Sequence, residues 1–160
     1  KYVTLICLSP LFALLSESVE QKINGQTYPF NFSQLIKDIG RGILISLRNL
    51  FLEYLIIIAC FILTLFFAPL AIVTVPFLML VSWYFIGFTM MDYNFERHKM
   101  SISQSVQFAR KNKGLICGIG IVYFAVMLLP FFIGMMFAPL LAVIGATISF
   151  LEIQKSETKS

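Results

Sequence analysis

Lys37, Arg41 and Arg48 are the residues of this chain best spaced to do chemistry. On a helix turning 100° per residue they fall within about 40° of one another, a basic stripe on one face. Such a row can replace water around an oxyanion and let it go again, because each cation offers several donors and no acceptor. The same stripe suits phospholipid headgroups or ion pairs, and the sequence leaves these readings open. Glu53 opens a long apolar run, where an ionisable group is costly unless paired. Arg41, Arg48 and Arg97 are the partners on offer, and a proton relay is the other role. Asp92, Glu96 and Arg97 stand where that run ends, with Asp92 and Glu96 one helical turn apart. They are ion-pair candidates that would hold this exit against neighbouring helices, with gating or anion coordination as the alternative.

Other chemistries find no residues. His98 is the one histidine, so no histidine pair can bind a metal. Cys7, Cys60 and Cys117 lie in separate apolar runs without CxxC spacing and read as small buried hydrophobes. No nucleophile elbow or phosphate loop occurs. Neither a catalytic residue, a cofactor nor a metal is expected, the chain is not read as an enzyme, and no nucleic-acid partner is expected.

The elements that must position these groups are greasy. Tyr54–Met91 and Gly114–Leu151 each run 38 residues without a charged side chain. Over the 160 residues, 59% are hydrophobic and 12% charged, with mean hydropathy +0.88. A soluble domain carries about 25% charged residues. The runs do not alternate as barrel strands do, so the expectation is an all-α integral membrane protein.

Each run is broken by two prolines, Pro69 and Pro76 in the first and Pro130 and Pro139 in the second. Prolines read as turns leave arms of about fifteen residues, about 22 Å long, in the first hairpin. A second arm running from about Leu70 with Pro76 as a kink could span. In the second hairpin the Leu140–Leu151 arm is too short to cross. The predicted architecture is one membrane domain, 1–160. It comprises the end of a transmembrane helix (1–19), an amphipathic interfacial helix (33–49) capped by Ser33, and a first partly penetrating helical hairpin (50–91). A polar, amphipathic segment (92–113), a second such hairpin (114–151) and a solvated tail (152–160) follow. Residues 2–15 are too few to span alone, which suggests that an N-terminal transmembrane helix is missing; a signal-peptide remnant fits the residues poorly. Ser101 with Gln104 matches a capping box. Gly114-x-x-x-Gly118, followed by Gly120, suits close helix packing in lipid. Phe67-Ala68-Pro69-Leu70 recurs as Phe137-Ala138-Pro139-Leu140, through similar turn chemistry or a true repeat. Eleven of the twelve Lys and Arg fall in the connectors and the tail, all on one side if both hairpins turn back. The positive-inside bias makes that side cytoplasmic.

Asp92-Tyr93-Asn94-Phe95-Glu96-Arg97-His98-Lys99 resembles the Asp-Tyr-Pro-x-(Glu/Asp)-x-His-Lys signature of the CysZ-type sulfate permeases and the related etoposide-induced membrane protein family. Met100–Ser103, Pro130…Pro139 and Gly145-Ala146-Thr147 are similar to that family's later landmarks. Asn94 stands where the family pattern has proline. The resemblance implies long transmembrane helices, two partly penetrating hairpins and cytoplasmic amphipathic helices, in a homo-oligomer in the bacterial inner membrane. It implies channel-like passage of an inorganic anion, sulfate, for cysteine synthesis. The family's Gly-Leu-Arg-type sulfate motif lies upstream of Lys1 and is not carried onto Gly40-Arg41. The alternative is a membrane scaffold that binds lipid or a partner and transports nothing.

Overall fold

A computed structural model describes the backbone of residues 2–24, 32–130 and 133–159, and the side chains of 11–12, 14–23, 40–130 and 133–156. The described residues form six α-helices: α1 (Tyr2–Asn24), α2 (Phe32–Phe66), α3 (Ala71–Arg97), α4 (Ile102–Lys111), α5 (Lys113–Met127) and α6 (Ile133–Lys159). No strand occurs among the described residues. Among the described residues, three segments are long and apolar enough to cross a membrane: Gly40–Phe66, Ala68–Arg97 and Ile133–Ser156. The chain is an all-α membrane protein.

The prolines divide the runs differently from the expectation. Nothing breaks the chain between Phe32 and Phe66, because no proline falls there. The segment expected as a separate amphipathic helix at 33–49 is therefore the foot of α2, and Ser33, whose side chain lies outside the described ones, is inside the helix. Pro69 makes the turn, in a short 3-10 helix at Ala68–Leu70, while Pro76 lies inside α3. In the second hairpin the chain turns around Pro130, and Pro139 lies inside α6. The two Phe-Ala-Pro-Leu stretches thus sit in different places, one at a turn and one within a helix. A proline inside a helix removes one backbone bond, and packed neighbours offset that loss. The arms are longer as a result. The 27-residue segment of α2 reaches about 40 Å against a hydrocarbon core of about 30 Å. The same holds for Leu140–Leu151, which is part of the 24-residue apolar segment of α6.

α3 is the centre of the fold and packs on α2, α5 and α6, while α1 packs on α6, α2 and α3. The α3–α5 contact is close because both helices bring glycine to it. A Cβ on Gly87 would lie 1.8 Å from the Ile116 carbonyl oxygen, and one on Gly120 would lie 1.9 Å from that of Trp83. Gly114 and Gly118 face open space instead, so Gly120 rather than the Gly-x-x-x-Gly pair makes this contact. Hairpin α2/α3 is less buried than α6. In its two long segments 17% and 22% of the most apolar window is buried, against 44% in α6. Phe61, Leu65, Phe66, Ile72 and Val73 are all exposed there and face lipid.

The polar end is built differently. Asp92–Glu96, expected as the start of a polar connector, forms the buried end of α3. Phe95, Phe108 and Phe150 close edge-on and tilted around it, with ring centroids 5.2–5.8 Å apart. α3 then stops in a Schellman motif: Met100 N–H donates to the Phe95 carbonyl and Lys99 N–H to that of Glu96, each at 2.9 Å. Lys99 is left-handed, with φ 53°. A side chain there costs about 1 kcal/mol that glycine does not. Lys99→Gly is therefore expected to raise the unfolding free energy by about 1 kcal/mol. Chemical unfolding in detergent checks this; a lower midpoint would mean that the Lys99 side chain itself stabilises the turn. The expected capping box is present, with Ser101 Oγ accepting from Gln104 N–H and Gln104 Oε1 from Ser101 N–H.

Candidate functional site

The ends of α1, α2, α3, α4 and α6 converge where α3 stops. Arg41, in the foot of α2, reaches the whole of this junction. One guanidinium nitrogen donates to Asp92 Oδ1 at 3.1 Å and to Ser105 Oγ at 2.7 Å, and the other donates to the Met100 carbonyl. Arg41 is only 16% exposed, and its Nε is buried without a partner. One planar fork thus ties α2 to α3, to α4 and to the turn between them. Asp92 compensates its charge at close range.

A second clasp joins α1 to α3. Arg97 donates to Glu20 Oε2 at 2.6 Å and to the Ser16 carbonyl at 2.7 Å. His98 Nε2 stands 3.6 Å from the other Glu20 oxygen, and its ring packs 4.8 Å from that of Phe150. Glu20 is 2% exposed. One turn back, Ser16 Oγ lies 3.1 Å from the Asn94 amide oxygen and 3.0 Å from Thr147 Oγ1, which donates to the Val143 carbonyl. Proton counting sets the direction of this run. Ser16 and Thr147 have one hydroxyl proton each, and Thr147 spends its own on Val143. If Ser16 gives its proton to Asn94, nothing is left for the 3.0 Å contact between the hydroxyls. A half-turn of the Asn94 amide resolves this: Nδ2 donates to Ser16, Ser16 to Thr147 and Thr147 to Val143. It also provides for Asn94 Nδ2, otherwise a buried donor without a partner.

The third polar feature lies inside hairpin α2/α3. Asn49 Nδ2 meets Thr89 Oγ1 at 3.5 Å, Ser82 Oγ donates to Glu53 Oε1 at 2.7 Å, and Thr64 and Thr74 hydroxyls are 3.1 Å apart. Asn49, Glu53 and Thr64 share one face of α2, so the three pairs form a polar seam along the hairpin. Arg48 stands at its foot, half-buried, with its guanidinium 3.4 Å from Asn49 Oδ1.

The family model described as Sulfate transporter CysZ/Etoposide-induced protein 2.4 matches residues 1–151. The chain belongs to that family. No curated protein matches it. The family is a transporter-type family and not an enzyme family. In this member the signature Asp92–Lys99 is a set of anchors: Asp92 takes α2, Asn94 takes α1 and reaches α6 only through Ser16 and Thr147, and Arg97 takes α1. Asn94 uses an amide that the proline of the family pattern does not have. Among the described residues, no three of His, Cys, Asp and Glu come together to hold a metal.

The sequence-derived candidates are thus redistributed. Arg41 and Arg97, two of the partners considered for Glu53, are engaged by Asp92 and Glu20. Lys37 shares the stripe of Arg41 and Arg48, but its side chain lies outside the described ones, as does that of Cys7. Cys60 is buried and Cys117 half-buried. Sequence reasoning missed Ser16, Glu20, Asn94, Ser105 and Thr147. Glu20 sits in a charged stretch that looks solvated, and its cation is 77 residues away. Proximity along the chain carries no signal of that kind.

Proposed function

We propose that this protein passes sulfate across a bacterial inner membrane for cysteine synthesis. It does so by a channel-like route, as a homo-oligomer whose polar helix ends face the cytoplasm. Family membership over residues 1–151 is the observation that carries the reading. Arg48 is its anion contact: a half-buried guanidinium at the foot of a polar seam, close to where α2 leaves the apolar layer. Arg41 holds the route in shape, since its donors are taken by Asp92, Ser105 and Met100. The hydroxyls and amide of the seam offer polar atoms further into the hairpin. Both hairpins return to the side they started from, which supports a common compartment for the connectors.

Uptake of radiolabelled sulfate into liposomes tests this. Arg48→Ala is expected to reduce flux about tenfold, the worth of one charge-assisted contact, and Arg48→Lys to retain part of it. Unchanged flux in Arg48→Ala would place Arg48 among lipid headgroups. The scaffold reading has one observation on its side: Arg41, central to the basic stripe, is already compensated. Intact assemblies with no uptake above empty vesicles would favour it.

A further inference from the structure

Arg48 lies on a corner of the fold between α2, α3 and α5. On α3, Ser82 and Thr89 face α2, where they meet Glu53 and Asn49. Gly87 faces α5, against the Ile116 carbonyl. At 100° per residue, Tyr84 and Phe88 fall between those two faces, on one side of α3. Their rings pack with centroids 6.5 Å apart. Asn49 and Thr89 oppose each other in an antiparallel hairpin, so the residues just before them, Arg48 and Phe88, share a flank. Arg48 and Tyr84 therefore open onto the same corner.

α4 supplies a second cation there. Its Phe108 packs on Phe95, further along α3, and Arg110 follows two residues later in the last turn. Arg48 and Arg110 both act electrostatically on the Tyr84 hydroxyl, one from α2 and one from α4, and Cys117 acts on it from α5. No carboxylate of the described residues is among the groups that act on it.

These side chains are not committed as Arg41 and Arg97 are. Arg48 has the 3.4 Å contact to Asn49 Oδ1. Among the described residues, neither Arg110 nor the Tyr84 hydroxyl has a hydrogen-bond or ion-pair partner. Arg48 and Tyr84 are half-buried and Arg110 is exposed, so the corner is open to small solutes from the polar end. Two like charges around one hydroxyl repel at the edge of an apolar layer, and an anion between them turns that repulsion into attraction. Each guanidinium presents five donors and no acceptor, and the phenol adds a neutral donor. Two positive charges match a free dianion. A phosphodiester headgroup, with one negative charge, would leave one of them in excess.

We propose that Arg48, Tyr84 and Arg110 form one binding site for a tetrahedral dianion, which on the function proposed above is sulfate. The two guanidiniums hold its oxygens from α2 and α4, and the Tyr84 hydroxyl donates from α3. The site rests on the reading of Arg48 as the anion contact and adds two residues to it.

Binding of radiolabelled sulfate to the lipid-depleted protein in detergent, read by scintillation proximity, tests the site without requiring transport. Arg110→Gln is expected to weaken binding about tenfold, the worth of one charge-assisted contact, and Tyr84→Phe about fivefold. Lys113→Gln removes an exposed cation that does not act on the Tyr84 hydroxyl, and is expected to bind as the wild type does. Circular dichroism and size exclusion check that each variant folds; Tyr84→Phe keeps its ring and Arg110 is exposed. Wild-type binding by both Arg110→Gln and Tyr84→Phe overturns the site. If Arg48→Ala still lowers flux in that case, the route stands and only the shared site fails. Equal losses in Arg110→Gln and Lys113→Gln would show diffuse attraction and also overturn it. A label displaced more readily by phosphatidylglycerol than by selenate, another free tetrahedral dianion, would assign the corner to lipid headgroups and overturn it as well. Binding that depends on all three residues, in a protein that passes no sulfate in liposomes, supports the site and removes the transport reading.

Discussion

Gly87→Ala destabilises the protein by about 3 kcal/mol, at the upper end of what overpacking costs, and Gly120→Ala does nearly the same. Each added methyl points at a main-chain carbonyl, Ile116 in one case and Trp83 in the other, closer than 2 Å. A flexible side chain could swing aside; a helix backbone cannot. α3 and α5 must therefore separate, and α3 is the helix on which α2, α5 and α6 all pack. The two effects are not independent, because each reports the same separation. The double variant is expected to lose less than the sum. Gly114→Ala and Gly118→Ala are the controls, with changes within about 0.5 kcal/mol. Unfolding by sodium dodecyl sulfate in mixed micelles measures all of these. Similar losses at Gly87 and Gly118 would show that close approach to the Ile116 carbonyl does not govern Gly87, since Ala at an open helical position is if anything stabilising.

Arg97→Ala is expected to cost about 4 kcal/mol. Glu20 is 2% exposed, and Arg97 meets its carboxylate at 2.6 Å, with His98 Nε2 3.6 Å from the other carboxylate oxygen. The loss is the penalty of burying a carboxylate deprived of its 2.6 Å partner, not the net worth of the pair. This distinction is testable. Replacing both partners, Glu20→Met with Arg97→Met, is expected to destabilise less than Arg97→Ala, because neither charge of this pair is then buried without the other. If the double variant is the weaker one, the pair contributes net attraction beyond compensating its own burial.

Much of this fold is legible in residue order. Two charge-free runs of 38 residues read as membrane helices, and at about 57 Å each is too long to cross the bilayer once, with prolines offering the places to turn. The Ser101–Gln104 box is equally readable, since both partners lie within one turn. Which proline turns the chain is not. Pro69 and Pro130 stand at turns while Pro76 and Pro139 stay within helices, and nothing local separates them. A helix tolerates a proline where its neighbours offset one lost bond, and those neighbours come from elsewhere in the sequence. The same limit explains the misread connector. Asp92, Asn94 and Glu96 are polar by composition and buried in fact, because Arg41, Ser16 and the surrounding aromatic rings arrive from other helices.

Sequence alone thus determined the solvent of this protein, its helical class and the family signature at Asp92–Lys99. Hydrophobicity and backbone satisfaction act residue by residue and leave their record in order and composition. Only the tertiary structure decided that Arg41 answers to Asp92, that Arg97 answers to Glu20, and that Gly87 and Gly120 rather than Gly114 and Gly118 hold two helices together. Those choices depend on distances between groups tens of residues apart, and such distances come into being when the helices pack.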